Sequence, residues 1–327
     1  MENERKKFNL FGFLDKDGKG VEKGDELKVL ENPSIKNFFK LFWRKFREML
    51  LVNMLYIFGN FPMLFALFAI SGYASIPTVS PGIGLYTALK GTLYYSGGAS
   101  SAVNSPVIAS LNGIFGKQII TSVPTAVTYI LYGLSLLTIF TFGLVNVGCT
   151  YVLRNMIRGE HIFVWQDFWY AVKKNIKQGI IYGVLDILII VMLFYDMLWF
   201  RSNIGISGLM SLLYYVSFAM MVIYFFMRMY IYPMLITFDL TIFKLFKNAI
   251  LFTVLGIKRN LMCLLGTVIT ILLNVLLFFA FMPIGIILPF IITIAFCSFM
   301  SVYCVYPKIK QYMIDPYYKE VAKGVSD

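Results

Sequence analysis

Residues 178–199 read QGIIYGVLDILIIVMLFYDMLW, a run in which only Asp186 and Asp196 carry charge. Such a stretch exceeds the ~18 apolar residues that a membrane-spanning helix requires. Its alphabet of Leu, Ile, Val, Met and Phe is that of a helical bundle, in which each segment satisfies its own backbone hydrogen bonds inside lipid. A barrel strand would alternate polar and apolar residues, and this run does not. Similar stretches recur along the chain. The 327 residues are 59% hydrophobic and only 14% charged, with a mean hydropathy of +0.74. That balance excludes a soluble domain of this size, whose surface needs more ionic groups.

The expected fold is therefore an all-α, polytopic membrane bundle. Six spans are placed at about 49–72, 121–153, 178–199, 207–233, 260–281 and 283–305. They form a membrane domain over 34–306, between an N-terminal tail (1–33) and a C-terminal tail (307–327), with a loop at 73–120 on the outer side. The second run would be about 50 Å long as one helix, more than the ~30 Å core, so it must tilt, kink or protrude. Pro283 and Pro289 flank a glycine in FMPIGIILP, which predicts a tight reversal between the last two spans. The first roughly 48 residues are hydrophilic, so no cleaved signal peptide is read and the first span is expected to stay as an anchor.

The formal charge of +12 is explained by where it falls. Lys and Arg number 12 before the first span, 5 in 154–177, 5 in 228–259 and 4 after 305, against Lys90, Lys117 and Arg201 on the other side. By the positive-inside rule both termini are expected in the cytoplasm. The basic residues then meet anionic lipid headgroups, and no nucleic-acid partner is called for. Cys149, Cys263, Cys297 and Cys304 lie in or beside apolar runs without metal-ligand spacing, and read as small buried hydrophobes.

Three basic stretches lead into spans, each behind a plausible helix cap: SIKNFFKLFWRKFREM from Ser34, DFWYAVKKNIKQ from Asp167 and DLTIFKLFKNAI from Asp239. Helical spacing sets Ile35, Phe38, Phe39, Phe42 and Phe46 apart from the basic residues of the first stretch. It sets Phe168, Val172 and Ile176 against Lys173, Lys174 and Lys177 in the second, and Leu240, Phe243 and Phe246 against Lys244 and Lys247 in the third. Basic helices with an aromatic face suit the headgroup region, so three cytoplasmic interfacial helices are expected. Either they anchor and orient the bundle, or they offer a docking face on which His161, Trp165, Asp167 and Trp169 join the lysines.

Charge inside a bilayer is costly and faces the bundle interior when it persists. Asp186 and Arg228 sit at similar depths on successive spans, so they are expected to pair, as a structural link or as part of a polar cavity. Asp196, beside Trp199 and Arg201, reads as interfacial. Asn53, Asn60, Asn146 and Asn274 are expected to join helices by hydrogen bonds. Residues 15–26, DKDGKGVEKGDE, place Asp15, Asp17, Gly20 and Glu26 as a calcium loop would, but Lys19 has the wrong sign and the segment reads as a polar turn. No catalytic residues, metal or cofactor are assigned, and no enzyme activity is expected.

RGEHIFVWQDFWYAVKKNIKQ, YPMLITFDLTIFKLFKNAI and FGFLDKDGKGVEKGDE, in their order along the chain, resemble the YesL-like bacterial membrane proteins, which carry a domain of unknown function. The likeness runs from about Phe8 to Tyr312, with residues 73–120 longer than that family suggests. It implies a multi-pass membrane protein often encoded near carbohydrate uptake systems, and no established activity. The expected role is a non-enzymatic accessory of carbohydrate uptake whose partners are transporter subunits. The alternative is a secondary transporter or channel for a small solute.

Overall fold

The computed structural model describes residues 33–80 and 119–318. The polar stretch at 15–26, most of the outer loop, nearly all of the N-terminal tail and the last nine residues lie outside the described residues. Five helical segments are long and apolar enough to cross a membrane: Ala126–Arg158, Ile176–Ser202, Gly208–Thr237, Ile257–Ala280 and Met282–Tyr318. The bent pair Phe46–Gly59 and Pro62–Ile70 makes a sixth if taken as one span. The protein is an all-α polytopic bundle. Its described residues divide into two compact units, one running to Asn60 and resuming at Ile139, the other being Phe61–Thr138.

The smaller unit holds α3 (Pro62–Ile70), α4 (Ala126–Ser135) and an antiparallel pair, β1 (Ser75–Ser80) with β2 (Ile119–Pro124), in which Ser75 lies opposite Pro124 and Ser80 opposite Ile119. This pair corrects the expected start of the second span at 121. The β-branched run IITSV favours a strand, and Pro124 cannot extend a ladder, so the helix begins only at Ala126. Thr125 caps it: its hydroxyl accepts from the Thr128 amide at 3.4 Å, Thr128 Oγ1 accepts from the Thr125 amide at 3.2 Å, and both hydroxyls donate to the carbonyl of Ala74.

In the larger unit one order of elements occurs three times. A basic helix, a single joint residue and a span come first, and a second span follows. The basic helices are α1 (Ile35–Arg44), α6 (Val164–Lys174) and α9 (Ile242–Leu255). They lead into α2 (Phe46–Gly59), α7 (Ile176–Ser202) and α10 (Ile257–Ala280). The second spans are α5 (Thr138–Arg158), α8 (Gly208–Thr237) and a final run made of α11 (Met282–Leu288), a π-helical turn at Pro289–Thr293 and α12 (Ile294–Ile309).

The three joints share one conformation. Lys45 (φ −105°, ψ 23°), Asn175 (−114°, 21°) and Gly256 (−98°, 9°) all occupy the sparsely populated bridge region. At each, the joint's amide completes the preceding helix, on the carbonyls of Leu41, Ala171 and Phe252, and its carbonyl opens the next, toward the amides of Met49, Gly179 and Asn260. Hydrogen bonding thus continues through the bend, so each turn between helices leaves no orphan group at the joint. The sequences at the joints, KFREM, NIKQG and GIKRN, share an apolar residue and then a basic one after the joint.

Two expected caps are corrected. Ser34 does cap α1, accepting from the Asn37 amide. Asp167, by contrast, lies inside the first turn of α6, where its carboxylate accepts from the Phe163 amide at 3.1 Å, and α9 begins at Ile242 rather than after Asp239. The apolar stripes shift as well. In α1 the buried residues are Phe38, Leu41 and Phe42, with Ile35 and Phe39 exposed. In α6, Phe168 and Val172 are buried but Ile176, beyond the joint, is exposed. In α9, Leu245, Ala249 and Phe252 are buried while Phe243 is exposed. Only Ile176 lies beyond a joint; Ile35, Phe39 and Phe243 sit within the basic helices, on the faces turned away from the bundle.

The core lies in the C-terminal halves of the second spans. Val147, Val152, Leu153 and Met156 of α5, Tyr230, Ile231 and Met234 of α8, and Ala295, Phe299, Val305 and Ile309 of α12 are all fully buried. Lipid tails are as apolar as these side chains, so close packing and interhelical hydrogen bonds, rather than transfer from water, favour the arrangement. The closest backbone approach is at Gly143, where an added Cβ would fall 2.1 Å from the Gly179 carbonyl oxygen and 2.5 Å from the Gly183 Cα. The final two spans reverse at Phe281, with Gly285 packed on the backbone of Phe278. All four cysteines are free; Cys149 and Cys263 are buried, Cys297 and Cys304 partly so.

Candidate functional site

Asp186 is completely buried and accepts hydrogen bonds from three side chains of a single helix. Tyr224 Oη donates to Oδ1 at 2.8 Å, Tyr232 Oη to Oδ2 at 2.6 Å, and Arg228 Nε reaches Oδ2 at 2.8 Å and Oδ1 at 3.1 Å. Residues four apart share one helix face, so Tyr224, Arg228 and Tyr232 of α8 form a single stripe converging on one carboxylate of α7. Bonds to a carboxylate are about twice as strong as neutral ones. In a low-dielectric interior, a cluster that satisfies a buried carboxylate in this way specifies how α7 and α8 pair. Tyr182 packs edge-on against Tyr232, with ring centroids 4.9 Å apart. Its own buried hydroxyl has no hydrogen-bond partner among the described residues.

Depth makes the cluster unusual. Asp186 is ten residues into α7 and Arg228 nine before the end of α8. Each is about 14–15 Å from its helix end, close to half of a ~30 Å hydrocarbon core.

Arg228 also extends away from Asp186. Its Nη2 approaches Asn146 Oδ1 at 3.4 Å, and the guanidinium lies between the rings of Phe142 and Tyr232, 5.4 and 5.3 Å from their centroids. Beyond it opens a cavity of about 120 Å³, lined by Arg228, Asn146, Tyr56, Thr150, Ser298 and Ser301, among others. The three second spans all contribute to its wall. No group of His, Cys, Asp or Glu that could hold a metal ion occurs among the described residues.

Arg154 was counted with the loop cations, but α5 continues past it to Arg158 and buries it. Nη1 donates to the Ile236 carbonyl at 3.2 Å and to Thr237 Oγ1 at 3.1 Å, at the end of α8. Nε and Nη2 both reach Asn155 Oδ1. A cation at the carbonyl end of a helix is favourable. Each of these acceptors of Arg154 is neutral.

Of the intramembrane asparagines, Asn53 does the most. Its amide donates to the carbonyls of Pro289 (3.1 Å) and Phe290 (2.6 Å), and its Oδ1 accepts from the Ala295 amide at 2.9 Å. The π-helical turn disturbs regular backbone pairing there, and one side chain from α2 serves both kinds of group. Asn274 joins α10 to the same turn by accepting from Thr293 Oγ1 at 3.3 Å. Asn60 donates within its own helix, to the Tyr56 carbonyl.

The residues considered for docking lie elsewhere, on α6 and α9. His161 is exposed, its ring edge-on to Phe163. Trp165 and Trp169 are exposed and edge-on to one another at 5.9 Å. Lys173, Lys174, Lys177, Lys244 and Lys247 are all exposed, and Lys174 lies over the Tyr170 ring. The structure therefore brings together Asp186 with Arg228, and separately His161 to Lys177 along one short segment.

Sequence reading missed Tyr224 and Tyr232, although their i, i+4, i+8 spacing with Arg228 was present in YFFMRMYIY. It also missed GIIYG at 179–183, a small-xxx-small pair.

Residues 123–197 match a family model described as a protein of unknown function, DUF624. The match covers α4, α5, α6 and most of α7, and so includes Asn146, the α6 face and Asp186. It ends before Arg228. No curated protein and no solved structure matches the chain.

Proposed function

We propose that the protein is a non-enzymatic component of the bacterial cell membrane, with both termini in the cytoplasm, that acts as an accessory of carbohydrate uptake and docks its partner on α6. The observation that carries this reading is the division of that helix. Phe168 and Val172 are buried against the bundle, whereas Trp165, Trp169, Lys173 and Lys174 face outward. Tryptophans and lysines arranged in this way suit a membrane interface, with rings at the acyl boundary and ammonium groups available to headgroups or to an acidic partner surface. The excess of Lys and Arg on one side supports a cytoplasmic face. The link to carbohydrate uptake rests on the resemblance to YesL-like proteins.

The test is crosslinking in native membranes followed by mass spectrometry, comparing wild type with Lys173→Gln/Lys174→Gln/Lys177→Gln. Recovery of a sugar-transporter subunit from wild type, lost in the variant, is the expected result. Absence of any partner from both samples overturns the reading.

A second reading, passage of a small solute, is favoured by the polar cavity beside Arg228. It expects flux in proteoliposomes that falls in Asp186→Asn. Flux no greater than in empty liposomes excludes it.

A further inference from the structure

We propose that the cavity beside Arg228 is a binding site for a small free oxyanion, of the size of a short-chain carboxylate or inorganic phosphate. The first ground is the division of labour on the guanidinium. Asp186 takes Nε, and the amide of Asn146 takes Nη2 at 3.4 Å, a long contact. Nη1 makes no hydrogen bond to any described residue, and the Arg228 side chain is 29% accessible whereas that of Asp186 is fully enclosed. The end-on edge of the fork, the geometry that takes a planar carboxylate or phosphate through two parallel bonds, thus faces the open space.

The second ground is the lining. Tyr56, Thr150, Ser298 and Ser301, all hydroxyl-bearing, are among the residues that line that space, and no carboxylate residue is. Hydroxyls donate readily to an anion's oxygens. The third ground is net charge. Asn146, Thr150 and Arg154 fall on one face of α5 at i, i+4 and i+8, and Arg154 is buried on neutral acceptors alone. Among the described residues of the larger unit, Arg154 is buried and Arg228 partly so, against the buried carboxylate of Asp186, with Glu160 the nearer carboxylate to Arg154. Buried charge calls for compensation, and one further negative charge supplies it.

Size and depth narrow the occupant. A volume of about 120 Å³ equals that of about four water molecules at ~30 Å³ each, which suits a molecule of about four to six heavy atoms. Arg228 is about 14 Å from the end of its helix, inside a segment apolar enough to span a membrane. A free solute therefore fits better than a lipid phosphate. This proposal goes beyond the accessory role and concerns equilibrium binding only, so it stands or falls separately from partner recovery and from flux.

The test is titration calorimetry of the purified full chain in nanodiscs of zwitterionic lipid, with sodium acetate and with inorganic phosphate as probes at constant ionic strength set by chloride. Saturable binding of at least one probe is expected. Because Arg228→Gln also disturbs Asp186, Ser301→Phe is the second variant: it fills the cavity while leaving the Asp186 contacts untouched. In each variant that remains monodisperse, affinity is expected to fall about tenfold or more, as for loss of a charge-assisted hydrogen bond. No saturable heat with either probe overturns the proposal. So does binding unchanged in a monodisperse Ser301→Phe, or an effect seen only when anionic phospholipid replaces the zwitterionic lipid.

Discussion

Arg228 Nε lies 2.8 Å from Oδ2 and 3.1 Å from Oδ1 of Asp186, joining two successive spans through one nitrogen. Removing either partner leaves a charge in a low-dielectric interior. Asp186→Leu alone is expected to destabilise the protein by about 3 kcal/mol, and Asp186→Leu/Arg228→Met by clearly less than the sum of the single changes. Thermal unfolding in detergent of both single variants and the double variant measures this. Additive losses would show that the pair is not coupled.

The tyrosines around Asp186 differ in what their hydroxyls do. Tyr224 and Tyr232 donate to the carboxylate, while the Tyr182 hydroxyl has no partner among the described residues. Tyr232→Phe and Tyr224→Phe are each expected to cost about 1–2 kcal/mol, and Tyr182→Phe to be neutral within about 0.5 kcal/mol. Equal losses at all three positions would contradict the assignment.

Gly143 meets backbone atoms of Gly179 and Gly183, which cannot move aside as a side chain can. Gly143→Ala is expected to lower stability by about 2 kcal/mol or more, as overpacking against a rigid neighbour does. At Gly133, where an added Cβ meets nothing within 4 Å, Ala is expected to be neutral or to stabilise by up to about 1 kcal/mol. The two unfolding midpoints, measured side by side, decide it.

Asn53→Leu leaves the carbonyls of Pro289 and Phe290 and the amide of Ala295 without their side-chain partner. The expected loss is about 3 kcal/mol or more, at about 1 kcal/mol or more per group. Amide exchange at Ala295 should accelerate relative to Phe299. Asn53→Asp should not rescue the carbonyls, because a carboxylate cannot donate to them. Unchanged exchange at Ala295 would show that the turn holds without Asn53.

Legibility varied with the range of the interaction. Apolar run length was enough to place the membrane segments, because crossing lipid is a requirement on composition that each segment meets alone. Boundaries drifted where a local competitor intervened, as at Ile119–Pro124, where β-branched residues and a proline took five residues from the expected span. The apolar stripes of the basic helices mix buried with exposed residues, as Phe38 with Phe39, because spacing does not say which part of an apolar face meets the bundle. Arg154 looked like a loop cation because its compensating acceptors, Ile236 and Thr237, lie some eighty residues away.

By itself, then, the sequence determined that this chain is a multi-pass helical bundle and singled out Asp186 and Arg228, since a charge amid twenty apolar residues is costly wherever the helix packs. Only the tertiary structure decided which face each helix buries, that Tyr224 and Tyr232 share the carboxylate of Asp186, and that three second spans enclose a cavity at Arg228. Those outcomes depend on side chains from distant segments meeting at one point. Such meetings are set by joint angles and backbone approach at glycine, and leave no periodic trace along the chain.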